Sequence, residues 1–143
     1  MKGEWTKVRR GDVLPWLAGL HVTLNRKGQI VMNKTTFERL GAPEAVNLLY
    51  DRPNNRIGLQ PTRAAMTDAY PLVRSNSHGA RMVRAFRLLA EFKIDVCDTL
   101  EFPDAEIDID GILVLNLRRA RISKRYVSRM IRERTKQGGQ MLE

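Results

Sequence analysis

Apolar and polar side chains alternate along GLHVTLNR and again along QIVM, within residues 19–32, at the period of two expected of half-buried strands. Lys27-Gly28 supplies a turn between them, so this stretch predicts a β-hairpin. The period then changes. Asn33 is a capping residue, Lys34–Leu40 suits a short helix, and Gly41 ends it. AVNLLYD, the polar turn RPNN and RIGLQPT follow and predict a second hairpin. The predicted order is hairpin, short helix, hairpin.

That order recurs after a polar connector, Arg63–Asp68. YPLVRS and ARMV flank a turn at Asn76–Gly79, and RAFRLLAEF predicts a helix over Arg84–Phe92. TLEF, the alternating AEIDI, a turn at Asp110-Gly111 and the apolar ILVLNL complete the set. Gly28 corresponds to Gly79, Asn33 to Arg84 and Phe37 to Leu88, each 51 residues on, within a one-residue slip. A unit of roughly 45 residues cannot bury its hydrophobic faces alone. The two are therefore expected to interlock into one core as a covalent pseudo-dimer. The expected division is an N-terminal segment (1–19), a first unit (20–62), a second (69–117) and a tail (118–143).

The first unit, from VTLNRKGQIVMNKTTFERLG onward, resembles the AbrB/SpoVT swapped-hairpin family. Lys27, Gly28, Gln29, Ile30, Phe37, Leu40 and Gly41 carry the resemblance. The second unit is similar to the related antitoxin type, in which an Asn-Ser pair precedes an arginine; Asn76, Ser77 and Arg81 have that spacing. Tandem copies in one chain also resemble MraZ-like proteins, although a D-x-x-x-R motif is missing. Both units depart from the family where the helix begins: a proline is usual there, and this chain has Asn33 or Arg84. The resemblance implies a mainly β (α+β) fold with short helices, its hairpin–helix–hairpin units forming an intertwined barrel. It also implies duplex-DNA binding through the hairpin faces, in a transcriptional regulator or an antitoxin, and a dimeric or pseudo-dimeric assembly.

Charge adds a second, separate indication. The 143-residue chain carries 25 Lys and Arg against 16 Asp and Glu, a net +9, which favours polyanionic partners. Residues 118–143 hold nine of those cations and two acids, so they supply +7. A tail helix is expected from about Ser123 to Lys136, with Tyr126, Val127, Met130 and Ile131 on one stripe. That helix could dock on the body, lie along phosphates, or meet a partner or membrane surface. Residues 95–110, by contrast, contain seven acids and no Lys or Arg; they could hold the basic tail when nucleic acid is absent.

Arg26, Lys27 and Gln29 at the first turn, and Arg74, Asn76, Ser77 and Arg81 at the second, are the candidate contacts in the body. Arg118, Arg119, Arg121, Lys124, Arg125, Arg129 and Arg132 are the candidates in the tail. Aromatic residues are scattered, which favours duplex over single strands, with RNA still possible. No H-E-x-x-H, G-x-x-x-x-G-K or paired metal-ligand spacing occurs, so neither catalysis nor a cofactor is expected. Glu106, Asp108 and Asp110 would share one side of a strand, more in keeping with a solvent face than with a metal nuclease. The single cysteine, Cys97, allows no intrachain disulfide and reads as a small buried thiol. No run reaches the roughly 18 apolar residues of a membrane span, and a cytoplasmic, nucleoid-associated location is expected. A protein-interaction module (antitoxin-like or an assembly factor) and a ribosome-associated protein are the rival readings.

Overall fold

A computed structural model describes residues 3–5, 7 and 19–123. The chain is mainly β, with two short helices and two antiparallel sheets. Strands β1 (Val22–Leu24) and β2 (Gln29–Met32) form the first hairpin, and helix α1 (Lys34–Arg39) follows. Strands β3 (Ala45–Asp51) and β4 (Arg56–Thr62) form the second hairpin at the predicted positions. In the second unit come β5 (Tyr70–Pro71), β6 (Val73–Arg74), β7 (Arg81–Arg84) and helix α2 (Phe86–Glu91). Strands β8 (Leu100–Glu101), β9 (Glu106–Ile107) and β10 (Leu113–Asn116), a 3-10 turn (Leu117–Arg119) and β11 (Arg121–Ile122) complete the order.

The pairing runs between the units. One sheet has the order β11-β8-β1-β2-β7-β6 and the other β5-β3-β4-β10-β9. Each unit therefore gives one hairpin to each sheet, β2 pairing with β7 and β4 with β10. In the first sheet Val31 lies opposite Met82, 51 residues on, the same offset that relates Gly28 to Gly79. A pseudo-two-fold axis passes through a pair of equivalent residues, so this pair marks the axis. In the second sheet the corresponding pair is Gly58 and Val114, 56 residues apart. Extra residues in the second unit account for the difference.

One of those extra residues sits between strand and helix. Arg84 ends β7 rather than starting the helix, and Ala85 occupies the cap position without a side-chain bond. Phe37 thus corresponds to Leu89, not Leu88: Ala42 N–H donates to Phe37 O and Ile94 N–H to Leu89 O, each at 2.9 Å. Asn33 behaves as its type predicts, its Oδ1 accepting from Thr36 N–H at the start of α1. The expected single strand YPLVRS divides at Leu72, whose N–H donates to Glu44 O.

Inward-facing residues of both sheets form one core. Val22, Leu24, Ile30, Met32 and Val83 from the first sheet meet Val46, Ile57, Leu59, Leu113 and Leu115 from the second. Thr36 is buried among them, yet satisfied: its hydroxyl accepts from His21 N–H and donates to Asn33 Oδ1. Among the described residues no buried side-chain polar atom lacks a partner. At the β3–β4 turn, a hydrogen bond from Asn54 and then one from Arg56 hold the Asp51 carboxyl below its ordinary value. Its contribution is present above the ordinary carboxylate range and lost as pH falls through the lowered value.

Because both units share this core, they should unfold together. Leu59→Ala (first unit) and Val83→Ala (second unit) should each lower one common melting transition, Leu59→Ala costing about 2–5 kcal/mol. Calorimetry resolving two transitions, only one of them shifted by each variant, would contradict the shared core.

Candidate nucleic-acid interface

Three hairpin turns are closed by the same device. Asn25 Oδ1 accepts from the backbone N–H groups of Lys27 and Gln29, Asn76 Oδ1 from His78 and Ala80, and Asp108 Oδ1 from Asp110 and Ile112. A glycine with positive φ completes each turn: Gly28, Gly79 and Gly111. The motif is Asn or Asp, two free positions, then Gly. It leaves the two free side chains at the tip pointing away from the turn's own hydrogen bonds. Asp108 is consequently a turn former, and β9 ends at Ile107, so Glu106, Asp108 and Asp110 do not form the row on one strand that the alternation predicts.

Two of these turns are placed by the repeat. In the β2–β7 register Gly28 falls opposite Ala85 and Gly79 opposite Lys34. They therefore lie at opposite ends of the ribbon, six residue steps or about 20 Å apart along the strands and about 10 Å apart across them. Each abuts the helix of the other unit. A Cβ on Gly28 would lie 2.8 Å from Phe86 Cα, and one on Gly79 would lie 3.0 Å from Lys34 Cδ. The Gly28 carbonyl also accepts from Ala85 N–H at 2.7 Å.

The candidate side chains divide into free and committed groups. Arg26 and Lys27 are exposed at the first turn, and Arg74 is exposed beside the second; none of the three side chains has an ion pair or hydrogen bond among the described residues. Arg81 lies 4.4 Å over the Phe37 ring, and its Nη1 donates to Gly79 O and Ala80 O. This holds the guanidinium over Phe37 of α1 with part of its donor set still available. A cavity of about 470 Å³ opens here, lined by Lys34, Phe37, Arg74, Ser77, His78 and Arg81. Gln29 Oε1 accepts from Asn25 Nδ2, and the Asn76 oxygen accepts from its own turn, so both are partly occupied by structure.

At the pseudo-equivalent end, Arg26, Gly28, Phe86, Leu89, Lys93 and Asp95 line a cavity of about 420 Å³. Phe86 is 67% exposed there, where the other unit has Lys34. As a phenylalanine of a predicted helix it is expected in the core; instead it sits at the start of α2, against the Gly28 turn.

The arginines that follow β10 hold the chain to the body. Arg118 Nη2 donates to Pro53 O at 2.8 Å, and Arg119 Nη1 lies 3.2 Å from Asp104. Arg121 faces Glu101 directly across β11–β8, its Nε donating to the carboxylate at 2.5 Å. The Arg119 pair is largely exposed and contributes little. The Arg121 pair is better sheltered, because Glu101 is buried. Ser123 is buried and donates its N–H to Thr99 O. Lys124, Arg125, Arg129, Arg132 and the rest of the helix expected from Ser123 to Lys136 lie outside the described residues. Cys97, expected as a buried thiol, is exposed.

Among the described residues no helix is long and apolar enough to cross a membrane, and no three His, Cys, Asp or Glu residues gather as they would around a metal ion. Comparison with known protein families, with curated proteins and with solved structures finds no match to this chain.

The three turn glycines should rank by what surrounds them. Gly111→Ala meets open space and should cost only the left-handed backbone, about 1–2 kcal/mol. Gly79→Ala presses on a flexible lysine and should cost slightly more, whereas Gly28→Ala meets the Phe86 backbone and should be worst. Equal losses for Gly28→Ala and Gly111→Ala in chemical denaturation would refute the close approach at Phe86.

Proposed function

We propose that the chain binds duplex DNA as a transcriptional regulator or accessory factor, its two swapped-hairpin units interlocked within one molecule as an intertwined β-structure. The observation that carries this reading is the pair of pseudo-equivalent turns about 20 Å apart, each with cations that no carboxylate neutralises. Arg26 and Lys27 at one turn, with Arg74 and Arg81 at the other, are suited to phosphates, whereas Lys34 pairs with Glu38 at 3.8 Å. A two-stranded ribbon has the width to enter a major groove. The resemblance of the first unit to the AbrB/SpoVT family supports the same reading and is the sole support for the regulatory role. The basic segment 124–143 adds charge that would strengthen any such contact.

A second reading, a protein-interaction module, is favoured by one surface. On the outer side of the second sheet Leu49 is 39% exposed, beside Gly58, Ile112 and Val114. An interaction module would leave a random duplex unshifted in a gel at low salt, whereas the DNA-binding reading requires a shift.

Affinity for duplex should fall steeply with salt, and Arg26→Ala, Lys27→Ala and Arg74→Ala should each reduce the slope of log K against log salt by about one. A flat salt response of the unaltered protein would sink this mechanism. RNA outcompeting duplex DNA at equal salt would move the reading to RNA.

A further inference from the structure

The two turns share the Asn clasp and the positive-φ glycine and carry different chemistry; the second is one residue longer, Ser75 N–H donating to Ala80 O where Asn25 N–H donates to Gln29 O. At the offset of 51, Arg26 corresponds to Ser77, Lys27 to His78, Gln29 to Ala80 and Ile30 to Arg81, and in the hairpin registers Arg74 takes the place of Leu24. Where the second unit's helix places Phe86 against the first turn, the first unit's helix places Lys34 against the second. One end thus carries its cations at the tip, with an amide and an exposed aromatic ring beside them. The other carries Ser and His at the tip and its arginines on the stem, one stacked on Phe37.

A two-fold protein aligned on the duplex dyad presents identical groups to both half-sites, so its target is palindromic. Here the axis through Val31 and Met82 relates backbone only. The geometry points to a non-palindromic duplex target, bound in one orientation, with two unlike half-sites centred about six to seven base pairs apart. This rests on the reading of the protein as a duplex-DNA binder. The spacing follows from the roughly 20 Å and 10 Å offsets between the turns at about 3.4 Å per base-pair step. Covalent linkage makes the asymmetry permanent: a homodimer of either unit would restore the symmetry that this chain has lost.

The test selects bound duplexes from a library with a randomised centre, using the full chain at low salt. A chelated-iron cleavage reagent is then tethered through Glu38→Cys or Ala90→Cys, each in a Cys97→Ser background. Glu38 and Ala90 are equivalent at the helix offset of 52, are both exposed, and flank opposite turns. The expected result is a non-palindromic consensus, with each reagent cutting at one end and the two reagents cutting at opposite ends. The preference for one end should be on the order of tenfold or more, the discrimination that one well-formed base contact supplies. A palindromic consensus, equal cleavage at both ends, or binding with no consensus at all would overturn the inference while leaving duplex binding intact. Absence of any bound duplex would instead overturn the proposed function.

Discussion

Antiparallel pairing between the units, β2 with β7 and β4 with β10, is the constraint on which the rest of the structure depends. Two hairpins and a short helix give each unit strands that are hydrophobic on one side only. Within a single unit those sides have too little to meet. Exchanging hairpins puts one from each unit into each sheet, so that inward residues such as Ile30, Val83, Leu59 and Leu113 all reach the same core. Two short ribbons become two broader sheets, and β2, β4, β7 and β10 become interior strands with partners on both sides.

The same pairing sets the distance between the two basic turns and packs each against the opposite helix. Gly28 must be glycine for two reasons that coincide, a positive φ and the approach of Phe86. The turn device itself is economical, since one side-chain oxygen satisfies two backbone donors and leaves the tip residues free to differ between copies. That freedom is where the chemistry of the two ends diverges. The arginines at 118, 119 and 121 act in the opposite sense: they add positive charge to the sequence but spend it on Pro53 O, Asp104 and Glu101.

Local features were legible in the sequence for local reasons. Alternation fixed β1 to β4, Asn33 announced α1, and the glycines at 28, 79 and 111 marked the turns, although the shared Asn or Asp clasp that closes them emerged only from the structure. What escaped was whatever depends on a distant partner. Period-two alternation says which side of a strand is buried and not which strand lies next to it. The departure of β8 into the first sheet was therefore invisible, as was β11, a two-residue strand with no pattern of its own. Arg84 looked like a helix residue because the extra Ala85 breaks the repeat offset at that junction. In the candidate interface the free cations Arg26, Lys27 and Arg74 were found from composition at the turns. The commitment of Arg119 and Arg121 was not, because Asp104 and Glu101 lie 15 and 20 residues upstream and charge runs reveal no pairing.

Interlocking of the two units can be tested by cutting the exposed connector Arg63–Asp68 at an inserted protease site. The account predicts that the two halves, once cut, stay together through native size-exclusion chromatography and separate only in denaturant. Halves that part under native conditions, each keeping its strand signature by circular dichroism, would contradict it.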